Sequence, residues 1–164
     1  MMRTLFIGAF VANALLTAVS LLVLPEEIAV HFGAKGMPND WAPKGFNVVI
    51  FAVLELPLFI LFLLIPRWVL RLSPRWISLP NKEYWLRGEG RPFVKERLES
   101  FMWEYGVALF SFLFCIGLLT IDANLANPVR LNERLFFSVF IAFMAFTAYW
   151  CVKLVRAFRL PGKA

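Results

Sequence analysis

The stretch LPEEIAVHFGAKGMPNDWAPK, residues 24–44, decides how the rest of the chain is read. It separates two long apolar runs, and it holds the only histidine and three of the ten prolines. A connection whose sole task is to reverse the chain needs only a few polar residues. One of this length, mixing turn formers, aromatics and charges, is the kind that packs on itself or carries function.

The run before it, from about Thr4 to Leu24, is long enough to cross roughly 30 Å of hydrocarbon at about 1.5 Å per residue. A secretory signal is the rival reading. The run is too long for one and no small-x-small site precedes the LPEE boundary, so a retained helix is expected. The run after the loop extends from about Phe46 to Ile65. Two more follow, at about Phe101–Ile121 and Leu135–Val155. With 60% hydrophobic residues, 18 phenylalanines and six tryptophans in 164 residues, the solvent for most of this chain is lipid. The expected fold is an all-α polytopic membrane protein: one domain, a four-helix bundle, with an ordered extracytoplasmic loop between the first two helices. Pro92 suits the first turn of a helix that would run to Ile121, so its first turns, carrying Lys95, Glu96, Arg97 and Glu99, should stand in the cytoplasm.

Charge placement gives the orientation. Arg3, eight basic residues between Arg67 and Arg97, and Lys153, Arg156, Arg159 and Lys163 lie on one side. Lys35, Lys44, Arg130 and Arg134 lie on the other. That bias puts both termini in the cytoplasm. The net charge of +6 is thereby a topology signal and a match for anionic headgroups, and no nucleic-acid partner is expected. In the basic segment, Trp68 and Trp76 suit headgroup depth. Asn81 is placed to cap a short helix from Lys82 to Arg87, ended by Gly88 and Gly90, with Tyr84 and Trp85 at the membrane surface. Asp122 to Glu133 reads as a polar loop, and Lys153 as the start of a basic tail.

Chemistry-bearing groups are few. Cys115 and Cys151 fall inside apolar runs without ligand spacing and read as small hydrophobes. Glu55 sits near the middle of the second run, where a charge is costly. Pro57 follows, lacking an N–H, so a kink with a freed carbonyl is expected there. The span midpoints place Asn13, Glu55, Ser111 and Thr147 in one intramembrane layer. Two readings stand: a proton or substrate step at Glu55, or a protonated Glu55 bonded to Asn13 that holds the bundle together. His31, with Glu26, Glu27 and Asp40 nearby, reads as a loop-ordering hydrogen bond, a pH-sensitive or ligand contact, or a weak metal site. Nucleophile triads, phosphate-cradling loops and HExxH are absent, so a conventional enzyme is not expected; nor is a cofactor or a dedicated metal.

The pattern Leu24-Pro25-x-x-Ile28-x-x-His31-Phe32-x-x-x-Gly36-x-Pro38-x-x-Trp41-x-x-Lys44 resembles the DUF1648 domain of bacterial membrane proteins. The segment Ile77-Ser78-Leu79-Pro80-Asn81-Lys82-Glu83-Tyr84-Trp85-Leu86 is similar to a second signature, NLPNKEYWL, of many members. The resemblance covers a unit of about residues 15–90. It implies a bacterial inner-membrane location and a relation to SdpI-like immunity proteins, which protect against a secreted toxin and hold a repressor at the membrane. SdpI-like proteins carry further spans after this unit. The implied outer contact residues are His31, Phe32, Gly36, Pro38, Trp41 and Lys44. The implied inner face is Asn81, Lys82, Glu83, Tyr84 and Trp85. A binding or signalling protein is therefore expected, with membrane lipid, a secreted peptide and a soluble regulator as partners. A proton-linked transporter or channel component centred on Glu55, or an accessory subunit of a larger membrane complex, are the alternatives.

Overall fold

The computed structural model describes residues 1–69, 71, 77, 79–86 and 90–160. Trp76, Ser78, Arg87, Gly88 and Lys163, each given a place above, lie outside the described residues. Among the described residues, four helices are long and apolar enough to cross a membrane: Met2–Val23, Phe46–Trp68, Gly90–Leu125 and Glu133–Ala157. The chain is an all-α multi-pass membrane protein to which one small β-hairpin is added.

Helix α1 (Met2–Val23) buries Phe6, Asn13 and Ser20, which recur every seven residues and so form one narrow stripe. The opposite side leaves Leu5, Val11, Leu15 and Leu22 exposed. An apolar surface of this extent has lipid as its partner. The second span has three parts: α2 (Phe46–Ile50), a π-helical stretch (Phe51–Glu55) and α3 (Leu56–Val69). Beside Pro57, where a kink is expected, the helical hydrogen-bond pattern changes. The Leu56 N–H donates to the Phe51 carbonyl, five residues back, just before the residue that has no N–H to offer.

After the short α4 (Lys82–Trp85) comes α5 (Gly90–Leu125), whose 36 residues make a rod about 54 Å long. It starts at Gly90 and ends four residues beyond Ile121, so Asp122 is helical and the following loop is shorter than the sequence implied. Gly90 opens this helix at a point where a side chain would collide with the Trp85 carbonyl, and α4 has already ended at Trp85. Helix α6 (Glu133–Ala157) begins with Asn132 as its cap, the side-chain oxygen accepting from the Leu135 N–H at 3.2 Å. Lys153 lies within α6, not in a tail.

Helix α5 is the hub, with α1, α3 and α6 each packing on it. Two glycines allow α1 to come close. A Cβ at Gly106 would stand 2.5 Å from the Phe6 ring, and one at Gly117 would stand 2.8 Å from the end of Leu16. Phe6 is fully enclosed by Gly106 and by the rings of Phe59, Phe62 and Phe110.

Candidate functional site

The long first loop folds as an antiparallel hairpin of β1 (Glu27–Phe32) and β2 (Pro38–Pro43), pairing Ala29 with Trp41 and His31 with Asp40. The run Ile28-Ala29-Val30-His31-Phe32, with β-branched Ile28 and Val30 and aromatic Phe32, supplies the first strand, and the prolines delimit the second. Its turn is closed by the Gly33 N–H donating to the Met37 carbonyl at 2.8 Å. Lys35 (φ 60°) and Gly36 (φ 68°) occupy the left-handed region. Gly36 is doubly required, since the Leu131 carbonyl fills the place of a side chain and the Leu131 N–H donates back to the Gly36 carbonyl at 2.9 Å. Arg130 Nε donates to the Lys35 carbonyl at 2.8 Å, so the hairpin turn is tied to the loop between α5 and α6.

The hairpin is fastened to α5 by Asn124, a buried residue that the sequence reading passed over as loop. Its Oδ1 accepts from the Ala29 N–H at 2.6 Å, and its Nδ2 donates to the Ala29 carbonyl at 3.1 Å. The amide thus pairs with the outward edge of β1 as a neighbouring strand would. The β2 edge remains, bounded by Pro38 and Pro43, with the Trp41 N–H covered by the Asp40 carboxylate at 2.9 Å. Ile28 and Ala29 are fully buried, while His31, Met37, Asp40 and Trp41 are exposed.

Of the outer-loop residues, His31 Nδ1 is hydrogen-bonded to Asn39 Oδ1, Phe32 pairs with Pro38, and Lys44 Nζ meets Glu26 Oε1 at 2.9 Å. Lys44 therefore holds a loop carboxylate. Among the described residues, no three histidine, cysteine or acidic side chains converge as a metal set.

At the opposite end, Asn81 stands at the cap position of α4, but its side chain makes no cap hydrogen bond. It has φ 54°, and its Nδ2 donates to the Phe158 carbonyl at 2.9 Å. Trp85 Nε1 donates to the same carbonyl at 2.9 Å and its ring stacks on Phe93. These two residues clamp the end of α6 to the start of α5, over a core of Leu86, Val94, Phe101, Trp150 and Phe158. Tyr84 points outward, 54% exposed. Lys82 and Glu83 open the helix beside it. Lys153 Nζ bonds both oxygens of Glu104 at 2.6 and 2.7 Å, an interhelical pair for which the sequence offered no partner rule.

The intramembrane layer divides in the structure. Asn13 and Glu55 line one cavity of about 140 Å³ between α1, the second span and α5. They are not bonded to one another. Asn13 Nδ2 donates to the Ala9 carbonyl at 2.9 Å and the Phe110 carbonyl at 2.8 Å, so it joins α1 to α5 instead. Glu55 Oε2 is buried without a hydrogen-bond partner. Ser111 is exposed on α5, and Thr147 bonds the Phe143 carbonyl at 2.9 Å and Tyr105 at 3.4 Å on the other flank of α5. Shared depth does not bring these two to Glu55, because depth leaves the direction around each helix axis undefined.

The model of DUF1648, a domain of unknown function, matches residues 8–56. That range takes in most of α1, the whole hairpin, and the second span through Glu55. No curated protein and no solved structure matches the chain.

Proposed function

We propose that this DUF1648-containing membrane protein is a binding and signalling module: the hairpin receives a ligand on the extracytoplasmic side, and α5 connects it to a regulator-binding surface in the cytoplasm. The observation that carries the reading is the Asn124 clamp. It makes the hairpin part of the same rigid helix whose other end, through Val94 and Phe101, supports α4 and the end of α6. A contact that tilts the hairpin therefore acts on a rod spanning the whole bilayer, and the elements resting on its far end are those that would report it.

The exposed hairpin residues His31, Met37, Asp40 and Trp41 offer an aromatic, a thioether and polar groups, and these suit a peptide bound through its side chains. The blunted β2 edge argues against strand addition as its mode. Toxin immunity is the specific form this takes if the peptide is a secreted toxin, and the basic cytoplasmic side with Tyr84 is the surface for a soluble regulator. The placement of Lys and Arg supports a plasma-membrane protein of bacterial type with both termini inside.

Photo-cross-linkers at positions 41 and 84 in native membranes test the reading. Capture of an external peptide at 41 and a soluble protein at 84, the latter reduced by Asn124→Ala, is expected. Capture at 84 that is indifferent to Asn124→Ala, or no partner at either position, overturns it.

A further inference from the structure

The cavity beside Glu55 is not used by the reading above. Its polar lining comes from three elements: Asn13, Thr17 and Ser20 of α1, Asn47 and Glu55 of the second span, and Thr120 of α5. The hydrogen atoms of this lining are largely committed elsewhere. Ser20 Oγ donates to the Thr17 carbonyl at 2.8 Å, and Thr120 Oγ1 donates to the Ile116 carbonyl at 3.0 Å. The Asn13 amide N–H groups go to the Ala9 and Phe110 carbonyls, and Asn47 Nδ2 donates to Ser20 Oγ at 3.3 Å. Ser20 and Thr120 are left with oxygen lone pairs, the Thr17 hydroxyl can turn its own inward by rotation, and Glu55 Oε2 has no donor. A pocket rich in acceptors and poor in donors calls for a guest that brings positive charge.

From this geometry we infer that the cavity binds one alkali-metal cation, with Glu55 as its charged ligand and hydroxyl and amide oxygens as neutral ones. A single carboxylate balances a monovalent ion. A divalent ion would leave a net charge in the span, at the cost that attends any unpaired charge there. The volume of about 140 Å³, at about 30 Å³ per water, holds an ion with several waters and is small for a peptide. The faces turned to Glu55 by α1 and α5 carry no titratable side chain among the cavity's lining residues, so a proton competes with the cation at Glu55 alone.

The test uses the full chain in phosphatidylcholine nanodiscs, where anionic lipid does not collect cations, with radioactive sodium as the probe and choline keeping ionic strength constant. Saturable binding of one ion per chain is expected at pH 8.5, displaced by unlabelled sodium or potassium. Its apparent affinity should fall as pH is lowered, by up to about tenfold per unit in the range where Glu55 protonates. Glu55→Gln should abolish binding. Thr17→Val, which keeps shape and the carboxylate, should weaken it severalfold and so serves if the first variant does not fold. Absence of saturable binding to the wild type at pH 8.5, or binding unchanged in both variants, overturns the inference. So does a pH response of tryptophan fluorescence that depends on Glu55 but not on sodium or potassium, which would make the proton the only guest.

Discussion

Replacing Asn124 separates the hairpin from the bundle with the least disturbance to either. Asn124→Ala removes the acceptor for the Ala29 N–H and a donor for the Ala29 carbonyl, and Ala29 is fully buried, so water does not replace them. An orphaned buried backbone group costs about 1–3 kcal/mol, so the pair amounts to about 2–6 kcal/mol. Asn124→Leu restores volume but no hydrogen bonds, and should be nearly as damaging as alanine if the clamp acts through its polar atoms. Amide hydrogen exchange in detergent micelles reads the effect locally. Opening the hairpin at a cost lowered by 2 kcal/mol speeds exchange at Ala29 about 30-fold, since each 1.4 kcal/mol is a factor of about ten. The amides of Phe6 to Phe10 should be little changed. The reasoning is refuted if both variants keep Ala29 protection within about threefold of the wild type. It is equally refuted if leucine alone restores protection, which would make the contact one of packing.

Other positions separate by the same logic. Gly106→Ala drives a Cβ into a Phe6 ring that its neighbours hold fixed, so thermal unfolding should show a loss of about 1–3 kcal/mol, whereas Gly117→Ala meets only the flexible end of Leu16 and should cost less. Lys153→Met leaves Glu104 unpaired between helices; it should destabilise by more than the roughly 1 kcal/mol typical of a surface pair, and adding Glu104→Gln should recover most of the loss in a double-mutant cycle. The Lys44–Glu26 pair has its carboxylate 87% exposed, so a cycle on that pair should give a coupling below about 1 kcal/mol that vanishes in high salt. Trp85→Phe keeps the ring against Phe93 but removes one of two donors to the Phe158 carbonyl, and faster exchange at the end of α6, with α1 unaffected, is the expected result.

What the sequence disclosed and what it withheld follow from the range of each interaction. The four spans are legible because a bilayer asks only for a run of apolar residues, a property of adjacent positions. The break at Pro57 is legible because a missing N–H acts within one turn, though the residue alone does not say that the helix widens into a π turn. The hairpin was readable in part. Ile28 to Phe32 has strand character, but Ile28 and Ala29 are buried side by side and not in alternation, so the period-2 signal of a half-buried strand is lost. Height in the membrane could be estimated from span midpoints, which did place Asn13 and Glu55 at one cavity. Direction around each helix could not, and so Ser111 and Thr147 were grouped with groups they do not face.

The residues that tie the elements together were the least legible, and they share a chemistry. Asn13 of α1 reaches the backbone of α5, Asn124 of α5 reaches the backbone of the hairpin, and Asn81 reaches the backbone at the end of α6. A carboxamide is neutral, so it enters an apolar interface without the cost of a charge, and it donates and accepts at once, so it can complete a strand edge or a helix end. Its partner in each case is main chain, which every residue has. No complementary side chain elsewhere in the sequence therefore marks the pairing, as a lysine might for a glutamate. Glu55 stands out against this pattern. It is the one group in the intramembrane cavity that carries a charge when ionised, and its buried oxygen is not matched by backbone or side chain. A fold that satisfies its asparagines so consistently has the means to satisfy a carboxylate, and that this one is left open is the physical reason to look for its partner outside the chain.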